Sequence, residues 1–325
     1  MSWKIVAKNI DPKDPDIKKL FDEALRAAPQ SYVKSTIDGN IKTENTVAML
    51  PRHSVKGPCR LCGNITNLTK EHIPPKSSGN KERHTNLTFD DWMRDRLDHN
   101  PNAKHVIEQG GIFGYTLCKS CNSLTGSLYG NEYKDWVGRA KKIINGYGGA
   151  TMISKQNTVA GPFGENIVIA SKTDGAVKPG AFVRQVMSCM CSLSGSWNLA
   201  EHYPVIRRIL LEQSTEYLPT GMELGMFLYF GPKARIHGPQ LRIDIKAKIW
   251  RWVEEIAYPP FAFQLIIASN KKDPGLGLLI DNFTSLSPNT QQYFSGVIEM
   301  GFGWSPYPGD YRSKAKIIAD RQDKK

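Results

Sequence analysis

"CRLCGNITNLTKEHIPP", Cys59 to Pro75, is the stretch on which the reading of this chain turns. Eight residues separate its Cys-x-x-Cys pair from the dipeptide Glu71-His72, and 55 residues separate Cys62 from a second pair in "CKSCN", Cys118 to Asn122. Four thiolates in two tight turns supply the closed tetrahedral shell that zinc favours in structural sites. The ion would tie together two points distant in sequence and contribute much of the folding free energy of a segment rich in loops. The opening residues "MSWKIVAKNIDPKDPD" carry no apolar leader, and no run approaches the roughly 18 apolar residues that span a bilayer. The expectation is therefore a cytoplasmic chain without a membrane segment, in which paired Cys-x-x-Cys turns read as metal binding before they read as disulfides. Structural Zn²⁺ is expected on Cys59, Cys62, Cys118 and Cys121, whereas Cys189 and Cys191 lie in an apolar helical stretch and read as buried small residues.

The neighbours of the two pairs carry the chemistry. "TKEHIPP" is extended, because residues before proline are pushed to β or polyproline geometry. Asn122 opens a predicted helix, "SLTGSLYGNEYKDWVGRAKKII", with Leu124, Leu128, Tyr133, Trp136, Val137, Ala140 and Ile144 on one face and Gly126 and Gly130 weakening its first turns. A zinc ion joining the cysteine turns would bring the strand of Glu71-His72 and the start of this helix into one unit. The Glu71 carboxylate and the Asn122 amide oxygen are hard ligands suited to Mg²⁺ or Mn²⁺. His72 is placed to take a proton from an attacking water.

"CRLCG", "KEHIPP" and "GYTLCKSCNSLTG" together resemble the HNH endonuclease superfamily, in particular the zinc-stapled ββα-metal nucleases of the endonuclease VII-like type. The resemblance covers residues 58–145, about a quarter of the chain. It implies that Glu71 and Asn122 hold a catalytic divalent ion, that His72 is the general base, and that the four cysteines hold a structural zinc. Many members carry Asp where this chain has Glu71, and the longer side chain must fold back to reach the same metal. The middle Asn of the H-N-H signature finds its nearest match in Asn86 of "TNLTF", with Gly114 the other candidate. The implied activity is phosphodiester hydrolysis, and the implied settings include restriction and phage defence, the preferred context.

Composition fits a folded protein with a polyanionic partner. The chain has 325 residues, 40% hydrophobic and 23% charged, with 43 Lys+Arg against 31 Asp+Glu for a net charge of +12. Residues 51–150, which hold the cysteine pairs, carry 15 basic against 9 acidic residues and are the most basic part per residue. Nucleic acid is the commonest partner for such a balance, DNA before RNA, and a double-strand cutter with one site per chain would act as a homodimer. Lys70, Lys76, Lys119 and Arg139 lie near enough in sequence to steer phosphates. A zinc-stabilised binding protein without catalysis is the competing reading. His53, His84, His99, His202 and His237 have no paired spacing, while His105 is a spare candidate ligand.

Three segments are expected. Residues 1–57 hold a helix over "PDIKKLFDEALRAA" and an aperiodic lead-in; residues 58–148 form the zinc-stapled nuclease module; and residues 149–325 form a separate α+β domain for target recognition or regulation. Within the module "FDDWMRDRLDHN" is a helical candidate, and "NGYGGA" marks the boundary. Beyond it come helices near 178–194 and 198–213, separated by "SGSW", and then short apolar strands bounded by Pro, Gly and Asn, which favour a mainly antiparallel sheet. "QLRIDIKAKIW" reads as one strand, with Leu241, Ile243, Ile245, Ala247 and Ile249 facing one way and Arg242, Asp244, Lys246 and Lys248 the other. Beside Trp250, Arg251 and Trp252 that basic face is a second candidate phosphate contact, and "EEIAYPPF" reads as a strand edge broken by Pro259 and Pro260.

Overall fold

The computed structural model describes residues 14–29, 50–81, 84–86, 106–108, 110–146, 158–161, 164–169, 175–229, 234–244, 247–271, 278–294 and 296–300. The fold is mixed α+β. Helix α1 (Pro15–Arg26) starts where the sequence places it: Asp14 accepts from the Asp16 amide at 2.9 Å, and Pro15 occupies the first turn, where a missing N–H costs nothing. A three-stranded sheet follows, built from β1 (Lys56–Pro58), β2 (Ile65–His72) and β5 (Phe113–Cys118), with β2 in the centre and both pairings antiparallel. Between β2 and β5 lie a 3-10 turn (Lys76–Ser78) and a separate pair of short strands, β3 (His84–Asn86) and β4 (Val106–Glu108). Helix α2 (Lys119–Gly146) runs straight out of β5.

The rest of the chain builds an eight-stranded sheet on a buried helix. The strands are β6 (Thr158–Gly161), β7 (Gly164–Ile169), β8 (Glu223–Leu228), β9 (Arg235–Asp244), β10 (Ile249–Tyr258), β11 (Phe261–Ser269), β12 (Leu278–Leu279) and β13 (Gly296–Met300). Their order is β6-β7-β13-β8-β11-β10-β9, with β12 also on β8; the β13–β8 pair is parallel and the others are antiparallel. Three helices precede β8: α3 (Pro179–Leu193), α4 (Leu199–His202) and α5 (Pro204–Leu211).

Helix α3 is buried at every one of its 15 residues. It touches α2, β5, β9, β10, α5 and the 3-10 turn Asp281–Ser285. Phe182 makes the join: its ring stacks on Trp136 of α2 at 4.2 Å and meets Phe263 of β11 at 5.9 Å. The expected division at 148/149 falls outside the described residues, and the apolar side chains before and after it, from Leu61 and Leu117 to Leu224 and Phe263, form one continuous core.

A helix buried all round must satisfy its polar side chains internally. Arg184 does so as a five-fold donor to backbone carbonyls, those of Gly180, Ile209, Ser214, Thr284 and Leu286, at 2.7 to 3.1 Å. It thereby ties α3 to the end of α5 and to the 3-10 turn Asp281–Ser285.

Several expectations are corrected. "QLRIDIKAKIW" is a hairpin: β9 ends at Asp244, the chain turns at Ala247-Lys248 with Lys248 at φ 52°, and β10 begins at Ile249. The alternation of residues 241–249 therefore crosses a turn and defines no single basic face. Arg242 instead reaches buried Glu255 at 3.2 Å, and Trp250 and Trp252 are buried. Pro259-Pro260, a cis pair, connects β10 to β11, so that stretch is a hairpin inside the sheet. Helix α1 packs on β10, where Trp252 donates to the Ala24 carbonyl at 2.8 Å. Helix α2 continues through Gly126 and Gly130; its buried face runs through Cys121, Thr125, Tyr129, Tyr133, Trp136, Val137 and Ala140, while Leu128 is exposed. Strands β6 and β7 lie in a stretch for which the sequence pattern predicts no element. The helical candidate at 89–100 and the tail lie outside the described residues.

Replacing Arg184 by Met is expected to lower the unfolding free energy by about 3 kcal/mol or more, read from the urea midpoint. Arg184→Lys should recover little of it, because an ammonium offers three donors from one point. A second expectation concerns Glu254 of β10, fully buried, whose pKa burial drives well above the usual carboxylate value. A carboxylate raised in the folded state contributes stability that is full below its unfolded pKa of about 4.5 and is lost as pH rises through the folded value. Melting temperature should therefore decline from about pH 4.5 upward, and Glu254→Gln should flatten that decline.

Candidate functional site

The two Cys-x-x-Cys turns meet. Cys59 and Cys62 lie in the turn after β1, Cys118 ends β5, and Cys121 sits in the first turn of α2. Their sulfurs all lie within 4.8 Å of one another, and those of Cys62 and Cys118 are 3.8 Å apart. Bonds of about 2.3 Å in a tetrahedral shell would set sulfurs about 3.8 Å apart, so the group can hold a structural ion such as zinc with little movement. Backbone amides already point at it: Cys118 N donates to Cys59 Sγ at 3.3 Å and Cys121 N to Cys118 Sγ at 3.4 Å. A hydrogen bond from Cys121 pulls the Cys59 thiol down to about 4, and the same contact raises Cys121.

Beside this cluster, Asn122 holds β2 against the start of α2. Asn122 donates its amide nitrogen to Thr69 Oγ1 at 3.0 Å and to the Lys70 carbonyl at 3.1 Å, which spends the nitrogen on β2 and leaves the amide oxygen as its remaining acceptor. Glu71 and His72, being consecutive on a strand, point to opposite faces. His72 is half-exposed, with Nε2 3.0 Å from the Gly110 carbonyl and its ring 5.8 Å from that of Phe113. A carbonyl can only accept, so Nε2 carries the proton and Nδ1 keeps its lone pair. Burial, then Lys70 and Lys76, lower the His72 pKa and favour the neutral ring, against the Gly110 carbonyl, whose hydrogen bond favours the protonated one.

Glu71 turns inward. Its Oε2 accepts from Ser192 of α3 at 2.7 Å and from Thr116 at 3.4 Å. Thr116 is the extra residue where β5 slips register opposite Thr69 and Lys70. Burial raises the Glu71 carboxyl to about 7. Beside it, Arg60 donates to the Ser192 carbonyl, and burial lowers the Arg60 guanidinium to about 10. Lys70, Glu71, His72, Asn122 and Gln185 of α3 all line one cleft of about 220 Å³. On the strand face, Lys70 Nζ lies 3.7 Å from the centre of the Phe113 ring and Arg52 5.1 Å from it.

The structure thus brings His72 and Asn122 to one cleft with Glu71 at its inner wall, beside the cysteines. The Asn86 backbone belongs to β3, paired with β4, and its side chain lies outside the described residues, as does His105. Among the described residues, buried Asn80 braces the loop after His72. Its Nδ2 donates to the carbonyls of Pro74 and Ile112 at 2.7 and 2.9 Å, and its Oδ1 accepts from the Ile112 amide at 2.7 Å. This clamps the loop after His72 to the entry of β5. Gly111 is required for that clamp, because at φ +89° a Cβ there would fall 2.2 Å from the Asn80 carbonyl oxygen. Only the turn signal "SSGN" pointed to Asn80. Nothing in the sequence pointed to Ser192, 121 residues from the Glu71 it binds.

No protein-family model matches the chain, and neither a curated protein nor a solved structure is found similar to it. Among the described residues no helix is long and apolar enough to cross a membrane.

The purified protein is expected to carry one zinc equivalent by elemental analysis. Cys118→Ser should lose it together with much of the melting temperature, because binding to such sites releases about 10 kcal/mol or more. Cys191→Ser, outside the cluster, should keep the metal.

Proposed function

We propose that the chain is a metal-dependent endonuclease of the HNH kind, hydrolysing phosphodiester bonds in DNA, with restriction or phage defence as its setting. The observation that carries this reading is the joint placement of His72 and Asn122. One presents a neutral imidazole whose Nε2 is spent on Gly110, the other an amide whose nitrogen is spent on β2, and both line the same cleft. The sequence resemblance and the net charge of +12 support it from outside the geometry.

In this reading Nδ1 of His72 takes a proton from water as the water oxygen forms its bond to phosphorus. The bond to the 3′ oxygen breaks in line, leaving a 5′-phosphate and a 3′-hydroxyl. Lys70 and Lys76, both exposed at the cleft, offset charge on the phosphate. The oxygens of Asn122 and Glu71 would be the donors for a hard divalent ion; with one Glu71 oxygen engaged by Ser192 and Thr116, water would complete most of the shell, as Mg²⁺ tolerates. When bound, Mg²⁺ or Mn²⁺ supplies charge neutralisation at the phosphoryl group.

A second reading has one specific observation in its favour. The Glu71 carboxylate is buried and already hydrogen-bonded, as it would be if the cysteine cluster only scaffolded a non-catalytic nucleic-acid-binding or interaction surface. Cleavage of supercoiled plasmid by wild type and His72→Ala, each with Mg²⁺, Mn²⁺ or EDTA and equal zinc content, separates the two. The nuclease reading expects divalent-dependent nicking or linearisation that falls about 10²-fold or more in the variant. Equal cutting by both proteins removes His72 from the chemistry, and no cutting by either favours the scaffold.

A further inference from the structure

The cleft of His72 and Asn122 does not stand alone. Its outer wall is the 3-10 turn Lys76–Ser78, and Ser77 lines both this cleft and a second groove of about 530 Å³ on the turn's other side. The second groove lies between that turn and the C-terminal half of α2, and its cations are Lys134, Arg139, Lys141 and Lys142. The three lysines are exposed, and none of them is ion-paired among the described residues. The acids of this part of α2 leave the charge uncancelled. Glu132 is turned away, accepting from the Trp136 indole at 2.9 Å and the Lys178 amide at 2.8 Å, so Asp135 is the acid that faces the groove.

The backbone of the groove is unusually bare. Gly138 sits in the interior of α2, where glycine costs about 1 kcal/mol relative to alanine. A Cβ at Gly138 would meet nothing within 4 Å, so no protein packing asks for glycine there. Across from it, Gly79 at φ +108° brings the turn close to α2, and a Cβ on it would lie 3.4 Å from Lys141 Nζ. A concave surface with four cations, a bare helix position and a shared wall with the reaction cleft fits a phosphodiester backbone.

We infer that this groove is a second phosphate-binding site, which holds the DNA strand on one side of the position cut at His72. The inference rests on the nuclease reading and adds to it a direction. From Asn122 to Lys141 the helix runs for about 28 Å at ~1.5 Å per residue, or about eight base-pair steps at ~3.4 Å each. The strand passes from the His72 cleft over Ser77 and into the groove, so the protein covers more DNA on that side of the cut than on the other.

The test uses full-length protein carrying His72→Ala, to prevent cutting, and measures binding to a duplex by fluorescence anisotropy across a salt series. Adding Lys134→Ala, Lys141→Ala and Lys142→Ala is expected to make the slope of log affinity against log salt shallower by about 2 to 3, near 0.9 for each phosphate that is no longer neutralised. It should also shorten a hydroxyl-radical footprint on one side only. The matching triple change at the exposed Lys18, Lys19 and Lys56 should alter neither measurement. An unchanged slope in the groove variant, or one that falls as much in the control, overturns the inference while leaving the nuclease reading in place. If the His72→Ala parent itself binds no DNA, both fall together.

Discussion

A helix with no solvent-facing side is the constraint on which this structure depends. Helix α3 must bury polar side chains as well as apolar ones, and each buried polar group has to find a partner or cost the fold dearly. Arg184 meets that demand with five carbonyls from four separate segments, so the helix cannot shift without breaking several bonds together. Around the same helix the aromatic rings of Trp136, Phe182 and Phe263 close one core from α2 to the large sheet. The cysteine module and the eight-stranded sheet are therefore two faces of one packed body.

That packing reaches into the candidate site. Ser192 holds the Glu71 carboxylate, and Arg60 from the first cysteine turn returns to the Ser192 carbonyl. Gln185, about two turns earlier on α3, lines the cleft from behind. On the other side of the cleft, beside the four cysteines that could hold a structural ion, Asn122 ties the start of α2 to β2. A carboxylate held by a distant serine and an amide held by the local strand are positioned by different parts of the fold, so substitutions in α3 reach the site without touching its mouth.

The cysteine pairs, the helix that follows them and the first helix were legible because each is a local pattern: a ligand spacing, or an apolar stripe at helical period. The same local logic misleads wherever a pattern crosses a turn. Residues 241–249 alternate without a break, yet the chain reverses at Ala247-Lys248, and period two alone cannot register a hairpin whose strands happen to match in phase. On α2 the apolar spacing points to a buried face through Leu124 and Leu128, but Tyr129 and Thr125 face the core, since α3 packs against that side.

The sequence by itself determined the four-cysteine group that could hold a metal ion, the extended geometry of "KEHIPP", the basic character of the middle segment and the α+β class. All follow from spacing, proline sterics and composition, which need no knowledge of distant contacts. Only the tertiary structure decided that Asn80 braces the loop after His72, that Glu71 turns inward to Ser192, and that α1 lies on β10. Each of these joins residues far apart in the chain through hydrogen bonds whose partners are ordinary residues in the sequence, and burial alone singles them out.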